Sequence, residues 1–221
     1  FSIIIGIISI VVPLLLNKPY ISLFSLATIA IGVLYSFKPF FFSGKPVLDC
    51  FSNATGYGIR AFAVGCGAAG QDFLSIVFLK ASLPYFFLMA SGSINSTFPD
   101  VDGDRKESKC TTAVFLGIQS AQILSTTLLL LAGVSALIWH DYLAACCAFI
   151  ALPIYLVYLF YPTRFLMEAT YKAGGALCVL GAFMVMPLFL IISLCLFYLT
   201  RIYFKLVHNV SYPSMVPTKN V

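Results

Sequence analysis

Charge is scarce in this chain. Only 10% of its 221 residues are Asp, Glu, Lys or Arg, against about 25% in an ordinary soluble domain, which is too little to clothe a water-soluble globule. Period-2 alternation is missing and the apolar stretches are too long for barrel strands, so a β-barrel is excluded. Seven cysteines are present, but none has C-x-x-C spacing. Cys66, Cys146, Cys147, Cys178 and Cys195 fall inside apolar stretches, where they read as small packing residues. His140 and His208 have no partner at metal-ligand spacing and read as interfacial polar residues. The chain opens at Phe1 inside an apolar run, without an initiator Met or a basic flank. That run is a poor signal peptide, and the expectation is a fragment that lacks an upstream segment.

What the chain has in abundance is apolar residues, 61% of the total, with a mean hydropathy of +1.00. They come in blocks near the length of about 20 residues that carries a helix across a bilayer. Seven blocks are predicted, over 1–16, 20–37, 52–70, 73–95, 113–138, 142–161 and 174–199. Helices satisfy every backbone group internally in lipid. The fold class is therefore all-α, a polytopic transmembrane helix bundle over 1–199 as a single domain, with a short polar tail over 200–221.

Seven spans make the loops alternate across the membrane. Loops 38–51, 96–112 and 162–173 share one side and carry Lys38, Lys45, Arg105, Lys106, Lys109, Arg164 and Lys172. The other side receives Lys18, Arg201, Lys205 and Lys219. The positive-inside rule puts the first side in the cytoplasm, although Arg201 and Lys205 pull the other way. The long polar loops all lie there, so any chemistry belongs on that face.

The densest loop, 96–112, holds four of the chain's eight acids, Asp100, Asp102, Asp104 and Glu107. Asp100 and Asp104 are four apart, so on a helix they share one face at about 6 Å. Their repulsion is relieved by a divalent cation, and Mg²⁺ suits one or two carboxylates together with water and substrate phosphates. Arg105, Lys106 and Lys109 suit the phosphate oxygens left uncovered. Two alternatives are a solvated, charge-balanced loop and a calcium loop, although the spacing of an EF-hand is not met.

The run Pro99-Asp100-Val101-Asp102-Gly103-Asp104-Arg105-Lys106, followed by Thr111-Thr112-Ala113-Val114 and Leu116-Gly117, resembles the second aspartate-rich motif, D-x-x-x-D, of the UbiA superfamily of intramembrane prenyltransferases. Tyr35-Ser36-Phe37-Lys38-Pro39, with Lys45-Pro46 and Leu48-Asp49, looks like the tyrosine and lysine loop of that family. The resemblance covers essentially the whole chain and implies that the blocks correspond to helices three to nine of a nine-helix fold. There are two departures. The usual lysine is displaced, leaving Lys38 or Lys45 to stand in for it, and the first motif, N-x-x-x-D-x-x-x-D, is absent from this sequence and would be expected upstream of Phe1.

The resemblance implies an enzyme, a prenyltransferase that moves an isoprenyl group from its diphosphate to a lipophilic acceptor with Mg²⁺ as cofactor. Asp100 and Asp104 are the implied catalytic metal ligands, with Asp102 a lesser candidate. Arg105, Lys109, Tyr35, Lys38 and Lys45 are the implied diphosphate contacts. The acceptor is a carotenoid, as in the lycopene-elongating branch, or a quinone ring, a chlorophyllide or a lipid; membrane lipids are partners and no nucleic acid is expected. Arg60 lies inside the third block, where charge is costly and faces a polar interior or a partner. It reads either as an acceptor contact or as a structural arginine, while Lys80 reads as a snorkelling residue. Two other classes compete, a non-catalytic membrane binding or scaffold relative and a secondary transporter, the latter without the inverted repeats expected of one.

Overall fold

The computed structural model describes residues 2–71 and 75–210. Phe1, the start of the fourth predicted block at Phe73, and the tail from residue 211 with Lys219 lie outside them. Among the described residues the chain is helical, with no strand. The helices are α1 (Ser2–Leu15), α2 (Pro19–Ser36), α3 (Leu48–Ala54), α4 (Ala61–Ala68), α5 (Ile76–Ser96), α6 (Val101–Lys106), α7 (Thr112–Leu116), α8 (Ile118–Ile138), α9 (Tyr142–Phe160), α10 (Arg164–Val185) and α11 (Pro187–His208). A π-helical turn, Thr55–Arg60, joins α3 to α4 without a break.

A helical membrane bundle follows directly. Among the described residues five apolar helical runs are long enough to cross a bilayer, Pro19–Ser36, Ile76–Lys106, Ile118–Ile138, Tyr142–Phe160 and Pro187–His208. Their outward faces carry exposed Ile, Leu, Val and Phe, which in water would be an aggregation surface and in lipid is the solvent-matched one.

The count of seven spans requires correction at its C-terminal end. Residues 162–173 are not a loop, because α10 already begins at Arg164, where Thr163 accepts a hydrogen bond from Leu166 N as N-cap. The predicted block 174–199 is split. Met186 has an extended backbone (φ −139°, ψ 84°) and Pro187 opens α11. Proline has no N–H to continue the ladder and forces the residue before it out of the helical region. Alternation across the membrane therefore stops being countable at Met186, and Arg201 and Lys205 lose the side that seven spans gave them. Likewise the block 113–138 is interrupted at Gly117 (φ +77°), which separates the short α7 from α8.

The core lies where α5, α8, α9 and α10 pack on one another. Its middle layer is built from small residues, Ala132, Ala136, Ala144, Ala148 and Ala151, around Leu88, Leu129 and Tyr155. Small side chains let helix backbones approach closely, which is how helices gain packing energy where lipid is as apolar as leucine. Ser91 and Ser125 add a polar tie between α5 and α8, each hydroxyl donating to the other's carbonyl (2.8 and 3.1 Å). The closest backbone approach involves the π turn, since a Cβ on Gly58 would lie 2.5 Å from Phe86 Cα.

Gly58→Ala is therefore expected to lower thermal stability in detergent by about 1–3 kcal/mol through overpacking. Gly65→Ala, with nothing within 4 Å of the added methyl, is expected to be neutral or stabilising. Equal melting temperatures for the two variants would contradict this packing.

Candidate functional site

Two loops and the start of α10 come together at the end of the bundle where α5 finishes. After Ser96 the chain tightens into a 3₁₀ turn, Phe98–Asp100, with Pro99 in its first positions, and continues as α6. Phe98 and Val101 are buried beside Ile94, Ala121 and Tyr158, and the Phe98 ring stacks on Tyr158 at 6.2 Å between centroids. These apolar anchors fix the direction of the polar residues between them. Asp100, Asp102, Arg105 and Lys106 face outward, while Asp104 is buried.

Asp104 is the most constrained acid of the motif, 6% exposed. Its Oδ1 pairs with Lys109 Nζ at 3.1 Å, and its Oδ2 is buried with no partner. A buried carboxylate oxygen without a donor is costly and is one set of lone pairs available to a ligand. The Asp100 carboxylate is exposed, and Tyr171 lies on α10. One turn earlier on α10, Glu168 is buried between Lys172 (2.6 Å) and Arg164 (3.5 Å). The Lys172 hydrogen bond, reinforced by Arg164, holds its carboxyl below the usual carboxylate range.

The tyrosine and lysine loop is fastened to the motif loop by a residue that sequence reasoning quoted but did not single out. Asp49, 3% exposed, accepts from the Thr112 N–H (2.8 Å), the Thr112 hydroxyl and the Cys50 N–H (2.8 Å). The same Thr112 hydroxyl oxygen accepts from Val47 N (2.8 Å), holding a β-branched residue at φ +69°, a conformation it adopts only under constraint. Cys110 N donates to Gly44 O (3.2 Å) across the same seam. Within this loop Lys38 and Lys45 are exposed, Lys45 Nζ lying 6.0 Å above the Phe42 ring, and the Lys38–Pro39 bond is cis.

Beneath the loops a cavity of about 330 Å³ opens into the bundle. Its upper wall is polar, with Asn53, Ser93, Ser96 and Tyr171, and deeper it is lined by Leu88, Met89, Leu129, Tyr155 and Cys178. Asn53 Nδ2 donates to Ser93 Oγ (2.9 Å) and to the hydroxyl of Tyr35 (3.4 Å), which ties the tyrosine of the loop to the cavity wall. Asn53, Ser93 and Tyr171 carried no sequence signal, because isolated polar residues in apolar blocks announce nothing until the helices are assembled.

The residues expected in the site thus fall into groups. Asp104 and Lys109 are in direct contact, Tyr35 joins the cavity through Asn53, and Asp100 is exposed at the same end. Asp102, Arg105, Lys38 and Lys45 face outward from the same end. Arg60 is apart. Its Nη2 donates to Ser52 O (3.2 Å), its Nε and Nη1 are buried without partners, and it is not among the residues lining the cavity. Among the described residues no cluster of three or more His, Cys, Asp or Glu surrounds a point. A magnesium site needs fewer, since the ion keeps several waters and takes one or two carboxylates with phosphate oxygens. The orphaned Oδ2 of Asp104, with Asp100 four residues before it, fits that donor set.

A family model, that of the UbiA prenyltransferase family, matches residues 1–173. The chain belongs to the UbiA prenyltransferase family. Prenyl transfer in a membrane is the general function that UbiA membership carries. Neither curated proteins nor solved structures yield a match. The UbiA match ends within α10, after the last residues that reach the site loops, and it spans every element that lines the cavity except the deeper turns of α10.

Asp49→Ala leaves the Thr112 N–H and hydroxyl without their acceptor and is expected to cost about 1–3 kcal/mol of stability. Limited proteolysis should then cut loop 37–47 faster than in the parent protein, whereas unchanged cleavage there would mean that the seam is held elsewhere.

Proposed function

We propose that the protein transfers an isoprenyl group from an isoprenyl diphosphate to a lipophilic acceptor held in the cavity beneath the two loops. The observation that carries this reading is the polarity gradient of that cavity, with Asn53, Ser93, Ser96 and Tyr171 nearest the aspartate motif and Leu88, Met89 and Leu129 beyond. A diphosphate headgroup matches the first end and an isoprenoid tail the second. The membrane face that bears loops 38–51 and 96–112 and the start of α10 is the cytoplasmic one, by its excess of Lys and Arg.

Asp100 and Asp104 are the residues that hold Mg²⁺, with Asp102 a lesser ligand. When bound, the ion supplies Lewis-acid stabilisation of the charge that develops on the leaving diphosphate. Lys109, Arg105, Lys38 and Lys45 contribute cationic contacts to the same oxygens, and Tyr35, oriented by Asn53, offers its hydroxyl. Ionisation of the C–O bond leaves an allylic cation, which the buried apolar walls protect from water until the acceptor nucleophile captures it. Tyr57, Tyr155 and Tyr171 are the aromatic residues lining the cavity, and aromatic rings of this kind stabilise a nearby positive charge. The acceptor class is a carotenoid, a quinone ring, a chlorophyllide or a lipid.

The test is turnover of labelled isoprenyl diphosphates by the protein in membranes against a panel of those acceptors, with and without Mg²⁺. Activity is expected to vanish on chelation, and Asp104→Asn and Asp100→Asn to lower it by about 100-fold or more, the scale of losing one key transition-state contact. Binding of the acceptor without any product under all these conditions would favour a non-catalytic relative instead.

A further inference from the structure

We infer that Lys109 is an exchangeable counterion. It neutralises Asp104 when no diphosphate is present, and it transfers to the phosphate oxygens when a divalent cation takes its place on the carboxylate. The inference rests on the assignment of Asp104 as a metal ligand made above and adds an order of events to it.

The geometry points to exchange because one half of the Asp104 carboxylate is occupied and the other half is not. Oδ1 faces Lys109 Nζ at 3.1 Å, and Oδ2 is buried without a donor. The basic residues closer in sequence, Arg105 and Lys106, are exposed, and among the described residues neither forms an ion pair with Asp104. A cation arriving at Oδ2 therefore meets a carboxylate whose charge is already shared with an ammonium group. Two positive charges within a few ångströms of one carboxylate repel each other, and that repulsion weakens the Lys109 pair.

Lys109 is built to be the one that leaves. Its main chain is held, with Lys109 N donating to Asp104 O (2.8 Å) and the next residue, Cys110, donating to Gly44 O (3.2 Å). The base of its side chain rests on the opposite loop, where Lys109 Cγ lies 3.2 Å from where a Cβ on Gly44 would stand. The side chain as a whole is 26% exposed. An ammonium on a flexible stem with a fixed root pivots without disturbing the fold, and as a compact charge with rotatable donors it exchanges a carboxylate for a phosphate readily.

The exchange has a thermodynamic consequence. A metal binding alone displaces Lys109 into water, whereas a diphosphate gives the displaced ammonium a new partner. Metal and diphosphate must therefore each bind more tightly in the presence of the other, by the same factor. Lys109 is a source of that coupling.

The experiment titrates the full chain in lipid nanodiscs with Mn²⁺ as a spin-resonance probe, with and without inorganic pyrophosphate. The parent protein is expected to bind Mn²⁺ weakly alone and more tightly with pyrophosphate, and Asp104→Asn to lose both. Lys109→Gln is expected to bind Mn²⁺ alone about two- to fivefold more tightly, the scale of releasing one partly exposed ion pair, and to lose most of the tightening by pyrophosphate. Lys109→Met keeps the stem that packs over Gly44 and should behave the same way, while Lys109→Arg should retain the coupling. Absence of Mn²⁺ binding by the parent protein overturns both this inference and the metal assignment. Binding that depends on Asp104 but is unaltered in both charge-removing variants overturns the exchange alone.

Discussion

A single buried carboxylate holds the polar end of this molecule together. Asp49 sits at the start of α3, yet its acceptors are spent on Thr112 at the start of α7, more than sixty residues on. Through Thr112 it also fixes Val47, and the adjacent Cys110 to Gly44 bond continues the seam. Loops are normally the mobile part of a helix bundle. Here a carboxylate accepting three short hydrogen bonds in a buried site makes two of them behave as one surface, and the contacts of Asp104, Lys109 and Gly44 lie on that surface.

Below the seam, the bundle solves a different problem. Lipid offers no hydrophobic gain for bringing helices together, so contact must come from close approach and from polar ties. The alanine layer of α8 and α9, the Gly58 contact with the Phe86 backbone, and the paired serines of α5 and α8 supply both. The cavity is the place where this close packing is relaxed. It lies between α3, α5, α8, α9 and α10, with Gly92, Gly174 and Gly175 among its walls.

The charges around the site are mostly compensated in pairs. Asp104 is matched by Lys109 and Glu168 by Lys172 and Arg164, while Asp100 and Asp102 stay in contact with solvent. Burial is what separates these roles. A carboxylate at the water boundary tolerates its charge without help, whereas one a few ångströms inward needs a partner. Among the described acids of the motif, Asp104 alone combines burial, a pairing lysine and an unused oxygen.

The sequence by itself determined the class of fold and the place of the aspartate motif between apolar blocks. An apolar chain in lipid must satisfy its backbone internally, and most of the few charges fall between the apolar blocks that hydropathy locates. It also determined the family, because the spacing of Asp100 and Asp104 with the residues after them is local. Even the break before α11 was written in Pro187, although the apolar run on either side concealed it. Only the tertiary structure decided which of the motif's acids is buried, that Lys109 rather than Arg105 is its partner, and that Arg60 stands away from the cavity. Asp49, Asn53, Ser93 and Tyr171 owe their roles to contacts between helices distant in the chain, and no periodicity or motif encodes a pairing that exists only once those helices have packed.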